Sequence, residues 1–162
     1  MATPDPSSNT GGTAHRPLRL RIQQAARQLG ITEPIVEKDY ALSYLLAGVA
    51  GEPDLRETLV FKGGTALKKL LFREYRFSED LDFSSVESPK DEALMGAIER
   101  ATERAGRLLE EQGPFRLQPS RYRERDPHPG GQEAFVVGVQ FPWHPQPLCR
   151  IKIEVTHDEP VL

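Results

Sequence analysis

The sequence predicts an α+β fold with an α/β-like centre: a mixed β-sheet flanked by helices, with N-terminal helices packed on the core. Helix-period apolar residues fill the first part of the chain, from Pro17 to Gly51. A strand, a glycine turn, a basic helical stretch and an acidic strand then follow in order between Leu59 and Ser84. Beyond Gly113-Pro114 the apolar period changes from the helical value to two, the period of a strand with one buried face.

Each element has its own local reason. Residues 1–16 are rich in Pro, Ser, Thr and Gly and read as a disordered tail, which leaves 17–162 as the folded domain. Pro17 to Leu29 fits a first helix, with Leu20, Ala25, Ala26 and Leu29 among its apolar positions and Gly30 as its stop. A second helix starts near Thr32 or Glu33, with Thr32 as N-cap and Pro34 in the first turn, and ends near Gly51. Leu59 to Lys62 reads as a short buried strand, and Thr65 to Phe72 as a helix opening from the glycines. Leu81 to Ser84 is the strand that carries the acids. Ser88-Pro89 opens a long helix running to about Glu111. The remaining strands are Phe115–Tyr122, Ala134–Phe141 and Cys149–Thr156.

Composition narrows the class. A chain of 162 residues with 38 % hydrophobic and 28 % charged residues is long enough for one domain with a real core. The formal net charge of −3 gives no global signal for nucleic acid, so any polynucleotide contact must be local. The single cysteine, Cys149, excludes an internal disulfide and a multi-cysteine zinc site, and its apolar surroundings mark it as a packing residue. No apolar run reaches the roughly 18–20 residues of a membrane span. The first residues carry no secretory h-region, so a cytoplasmic location is the expectation.

The chemistry concentrates between Leu59 and Ser84. Gly63 and Gly64 follow an apolar run, and Thr65 opens a helix. Glycines let the backbone approach a ligand closely, and the free N–H groups of a helix start attract phosphate. Asp80-Leu81-Asp82 then puts both carboxylates on one face of a strand. Hard oxygen ligands beside a phosphate cradle are what Mg²⁺-dependent phosphoryl chemistry requires. The pattern is neither a Walker P-loop nor a dinucleotide fingerprint, because the glycine spacing of each is absent.

A third carboxylate is expected from Arg150-Ile151-Lys152-Ile153-Glu154-Val155-Thr156, where Lys152 and Glu154 alternate with apolar residues. If that strand lies beside the one holding Asp80 and Asp82, Glu154 completes the acidic cluster and Lys152 reaches phosphate charge. Like charges so close need a cation, Mg²⁺ or Mn²⁺. Lys62, Lys68, Lys69, Arg73 and Arg76 surround the motif, with Lys68 the preferred phosphate contact and Ser78 as suited to a turn as to a nucleotide. Glu37-Lys38-Asp39 reads as a solvated helix face, and His128, His144 and His157 lack metal spacing and receive no role.

Val36-Glu37-Lys38-Asp39-Tyr40, Phe61-Lys62-Gly63-Gly64-Thr65-Ala66-Leu67-Lys68-Lys69 and Arg76-Phe77-Ser78-Glu79-Asp80-Leu81-Asp82-Phe83 together resemble the AbiEii/AbiGii toxin family of nucleotidyltransferases, in the DNA-polymerase-β-like superfamily. The resemblance covers about residues 30–156. It implies that Gly64 and Thr65 occupy the glycine–serine motif of a nucleotidyltransferase core, beside which Lys62, Gly63, Lys68 and Ser78 are further nucleotide-binding candidates. Asp80 and Asp82 bind metal with Glu154, and Lys152 joins them as a catalytic group. It also implies an NTP substrate, a tRNA acceptor, a role in toxin–antitoxin or phage-defence systems, and a cognate antitoxin encoded nearby. Relatives carry a further C-terminal, largely helical part, which the domain is expected to lack. A catalytically impaired nucleotide- or partner-binding remnant, and a small-molecule nucleotidyltransferase, are the alternatives.

Overall fold

The computed structural model describes residues 16–62, 80–123 and 131–157. Helices α1 (Leu18–Leu29), α2 (Glu33–Gly51) and the short α3 (Pro53–Arg56) lead into strand β1 (Leu59–Lys62). Strand β2 (Asp80–Ser85), helix α4 (Asp91–Leu109), a 3₁₀ turn (Glu110–Gln112) and strands β3 (Arg116–Tyr122), β4 (Gln132–Gln140) and β5 (Cys149–Thr156) complete the order. The strands form one five-stranded mixed sheet, β1-β2-β5-β4-β3. Only β2 and β5 run parallel; the other neighbours are antiparallel. The predicted α+β class holds. The predicted tail and the predicted helix over 65–72 lie outside the described residues.

Topology follows from the chain path. After β2, helix α4 carries the chain to the far edge of the sheet, where β3 begins. Two antiparallel steps, β3 to β4 and β4 to β5, bring it back beside β2. A parallel neighbour needs such a crossover, because a tight hairpin yields only antiparallel pairs.

The helices cover one sheet face. Leu18, Ile22 and Ala26 of α1, Ala41, Leu42, Leu45 and Val49 of α2, and Leu94, Ile98, Ala101 and Ala105 of α4 are buried at helical spacing. They meet Leu81, Phe83, Phe135, Val137, Ile151, Ile153 and Val155 from the strands. Each such large side chain contributes about 1.5–3 kcal/mol by leaving water. Gly30 ends α1 at φ 67°, and Ile31 N–H donates to Ala26 O at 3.0 Å, the close that a left-handed glycine permits. Thr32 does occupy the N-cap position of α2, but its side chain makes no capping hydrogen bond.

Several expectations need correction. Helix α4 starts at Asp91 rather than at Ser88, because Ser88 is taken into a turn with Ser85, Oγ to Oγ 2.6 Å. Strand β1 is half-buried, with Val60 41 % exposed, because it is an edge of the described sheet. Glu37 is not on a solvated face: it is buried, accepts from Trp143 Nε1 at 3.0 Å and lies 2.7 Å from His144 Nε2. This carboxylate fastens the loop after β4 to α2. His157 is likewise engaged, 2.7 Å from Glu133 Oε2. The same Glu133 lies 3.0 Å from Arg121 Nη1 and accepts from the Asp91 N–H at 3.0 Å. Asp91 sits at φ 53°, a left-handed value that is costly outside glycine, and Glu133 and Arg121 hold it there from either side.

Two further contacts fix the helix pair. Glu52, buried at the end of α2, lies 3.2 Å from Arg100 Nε and 3.3 Å from Arg104 Nε on α4. Burial alone would raise its pKa, but the hydrogen bonds and charges of the arginines outweigh that and hold the carboxyl below the usual range. Gly48 allows the helices to touch: a Cβ there would stand 2.3 Å from Ala101 O.

Gly48→Ala must therefore part the α2–α4 contact and is expected to cost about 1–3 kcal/mol in urea unfolding. An unchanged midpoint would mean that the helices separate freely. Glu52→Gln is expected to destabilise at neutral pH, because it removes a charge that both arginines hold. A depressed carboxyl pKa gives stability that is present above the unfolded value and lost as pH falls through the folded one. The difference between variant and native protein should thus vanish in strong acid, and a difference independent of pH would contradict the ion-pair account.

Candidate active site

Strand pairing sets the site. In the parallel β2–β5 pair Asp80 faces Lys152 and Asp82 faces Glu154 in register, while in the antiparallel β1–β2 pair Lys62 faces Asp82. A row of the sheet therefore reads Lys62, Asp82, Glu154, Ala134, Tyr122 from edge to edge. Because strand side chains alternate, Lys62, Asp80, Asp82, Lys152 and Glu154 share one face, opposite the helix-covered one. The burial pattern of β5 alternates accordingly, with Ile151, Ile153 and Val155 buried and Lys152 and Glu154 half-buried.

The electrostatics are those of crowded acids. Partial burial, then the hydrogen bond and charge of Glu154, then the charge of Asp80 raise the Asp82 pKa to about 6, against a small opposing effect of Lys62. Lys152 forms an ion pair with Glu154 and holds its ammonium 4.9 Å from the centre of the Tyr122 ring. Lys62 donates to Thr156 Oγ1 at 3.4 Å. Two cations, on the strands either side of β2, thus offset the acids in part.

The donor set suits a hard divalent cation. Carboxylate oxygens from Asp80, Asp82 and Glu154 lie on adjacent strands of one face, the hard-oxygen chemistry of a divalent cation's ligands. A cation between them would offset the crowding that raises the Asp82 pKa. Among the described residues no three histidine, cysteine, aspartate or glutamate side chains stand together closely enough to hold a metal ion.

The sheet accordingly brings together Lys62, Asp80, Asp82, Lys152 and Glu154 among the residues singled out from the sequence. Gly63, Gly64, Thr65, Lys68 and Ser78 lie outside the described residues. Cys149 is buried, and burial pushes its thiol up to about 11, in keeping with a packing residue. Alternation alone could have flagged Tyr122, which shares the acids' face, but only the register across β4 shows that it stands in their row.

Residues 44–162 match the family of the nucleotidyl transferase AbiEii toxin, Type IV TA system. No curated protein matches the chain. Among the described residues no helix is long and apolar enough to cross a membrane.

A raised carboxyl pKa means that the fold binds the Asp82 proton more tightly than the unfolded chain does. The metal-free fold therefore loses stability as pH rises from about 4 to beyond about 6. Asp82→Asn removes the charge. It is expected to raise the melting temperature in EDTA by about 2–4 °C at neutral pH, a figure discounted for the group's exposure. The gain should close toward about pH 4. A melting temperature that falls at neutral pH would contradict the crowding of these acids.

Proposed function

The chain belongs to the AbiEii nucleotidyl transferase toxin family, matched over residues 44–162, and from that premise we propose that it is a metal-dependent nucleotidyltransferase that moves a nucleotide from an NTP to the end of a tRNA. The observation that carries the reading is the in-register pairing of Asp82 with Glu154, with Asp80 beside Lys152. It gathers hard oxygen donors and compensating cations on one sheet face.

Asp80, Asp82 and Glu154 would hold the divalent cation, Mg²⁺ or Mn²⁺. When bound, it supplies positive charge to the triphosphate and to the oxygens gained and lost at phosphorus. The chain's own groups do the rest. Gly63, Gly64 and Thr65, with Lys68 and Ser78, are the proposed triphosphate contacts, carried by their place in the sequence motif. Lys62, in register with Asp82, keeps positive charge beside the acids when the polyanion arrives. Glu154 receives the proton of the acceptor hydroxyl as that oxygen bonds to the α-phosphorus. The bond from the α-phosphorus to its bridging oxygen breaks, and pyrophosphate leaves with the electron pair. Lys152, ion-paired with Glu154, keeps positive charge beside that carboxyl through the step.

The Type IV toxin–antitoxin setting of the family implies a cognate antitoxin. A tRNA acceptor, a cytoplasmic site of action and an abortive-infection role belong to the same proposal.

The test is incubation of the purified protein with Mg²⁺, each α-labelled NTP in turn and total tRNA. Label is expected on RNA with one favoured base, abolished by EDTA. Asp80→Asn and Asp82→Asn are each expected to lower transfer by on the order of 10³-fold, since each removes charge aimed at the transition state. Full activity in either variant would falsify the assignment of these acids.

A further inference from the structure

The polar sheet face does not end at the acids. The same face continues across β4 and β3, where the buried Ala134 and Val136 and the side-chain-free Gly138 of β4 separate the polar groups of β5 from those of β3. Arg150, Lys152 and Glu154 alternate along β5 on the same face. Arg150 is exposed and pairs in register with Gly138, which pairs in turn with Gln118. Because Gly138 has no side chain, the row opens into a groove of about 510 Å³ with Val136 and Gly138 on its floor and Gln118, Ser120, Pro147 and Arg150 around it. A Cβ built on Gly138 makes only ordinary contacts, with Pro147 Cβ at 3.5 Å and the backbone Gln118 O at 3.9 Å, so a small side chain would fit there and a large one would fill the groove. Arg116, two residues before Gln118 on β3 and also exposed, has the same strand parity and adds a second cation at the far end.

The other end of this face is aromatic. Tyr122 stands in the row of Glu154, separated from it only by Ala134, and is 42 % exposed. The two strand spacings between Glu154 and Tyr122 amount to about 9.6 Å, and the four residues from Glu154 to Arg150 to about 13 Å. A terminal nucleotide fits between these points. A groove edged by an arginine, with an aromatic ring and the Lys152 ammonium beside it, suits single-stranded nucleic acid, in which guanidinium groups meet phosphate and a ring face stacks on a base. The chain's net charge of −3 makes this local cluster the more distinct.

We propose that the β3–β4–β5 face is the acceptor subsite for a single-stranded RNA end, with Arg150 in the Gly138 groove contacting a backbone phosphate and Tyr122 stacking on a base beside Glu154. The assignment deepens the transferase reading and rests on it for the direction of the strand, whose terminal hydroxyl lies at Glu154. It leaves the NTP to the β1–β2 side. A phosphate contact also makes binding depend on salt. The loss of one contact lowers the slope of log affinity against log salt by about 0.7 for single strands.

The experiment measures affinity for a labelled single-stranded RNA at several salt concentrations, and the KM values of the transfer reaction, in the full chain. Arg150→Glu and Gly138→Leu are each expected to weaken RNA binding and to raise the KM for RNA by about 10-fold, with the KM for NTP unchanged. Tyr122→Ala should do the same and Tyr122→Phe should restore binding, since the ring is kept and only the hydroxyl is lost. Melting temperatures report whether each variant folds; Tyr122 lies on the edge strand β3 and Arg150 is exposed on β5, so neither change enters the core. If the native protein binds RNA in an Arg150-dependent way but transfers no nucleotide, the subsite stands and the transferase reading falls. If transfer proceeds while Arg150→Glu, Gly138→Leu and Tyr122→Ala leave the RNA KM and the salt slope as they were, the subsite is overturned and the transferase reading survives. A native protein that neither binds nor modifies RNA overturns both.

Discussion

One register carries the chemistry of this molecule: the parallel alignment of β2 and β5 that sets Asp80 against Lys152 and Asp82 against Glu154. Strand side chains have a period of two, so a slip of one residue would turn the acids of one strand into the helix-packed core while the other strand kept its own outside. The apolar residues forbid that slip. Leu81 and Phe83 on β2, and Ile151, Ile153 and Val155 on β5, are all buried under the helices, and none could be exchanged for its charged neighbours without burying charge. The same hydrophobic contacts that stabilise the fold thus hold the like-charged groups together, against their mutual repulsion.

The rest of the architecture serves that alignment. A parallel neighbour cannot follow directly from a hairpin, so α4 takes the chain away and β3 and β4 return it. Helix α4 must lie close to α2 for this path to be compact, which Gly48 permits and Glu52 secures through Arg100 and Arg104. The two ends of the β4–β5 unit are tied by carboxylates of different origin: the buried Glu37 from α2 at the loop between the strands, and the half-buried Glu133 from β4 at the end of β5. Both use a histidine as partner. These are positions where a sequence alone offers ambiguous signals, because an acid on a helix and an isolated histidine usually face water.

What was legible follows the same division. Alternation in Arg150–Thr156 placed Lys152 and Glu154 on one face, and the Asp-x-Asp spacing did so for Asp80 and Asp82. Helix periodicity and Gly30 located α1 and α2 to within a residue or so. The pairing of the two acidic strands was only a condition in the sequence, since strand order is a property of the whole path and has no local signal. Glu37 escaped because its burial depends on Trp143 and His144, more than a hundred residues away in the chain. The start of α4 moved because Ser85 and Ser88 bonded to each other, where the sequence offered Ser88-Pro89 as an equally good helix opening. Short-range rules describe elements well and junctions poorly, since a junction is settled by whichever distant partner arrives.

Glu37 has one more consequence. The chain contains a single tryptophan, Trp143, and its indole N–H is held by that carboxylate, with the Arg19 guanidinium 5.9 Å from the ring centre. The fluorophore therefore touches α1, α2 and the β4–β5 loop at once. Its emission is an optical gauge, built into the native chain, of whether the N-terminal helices are seated on the sheet, and it can be followed through refolding without any label or engineered residue.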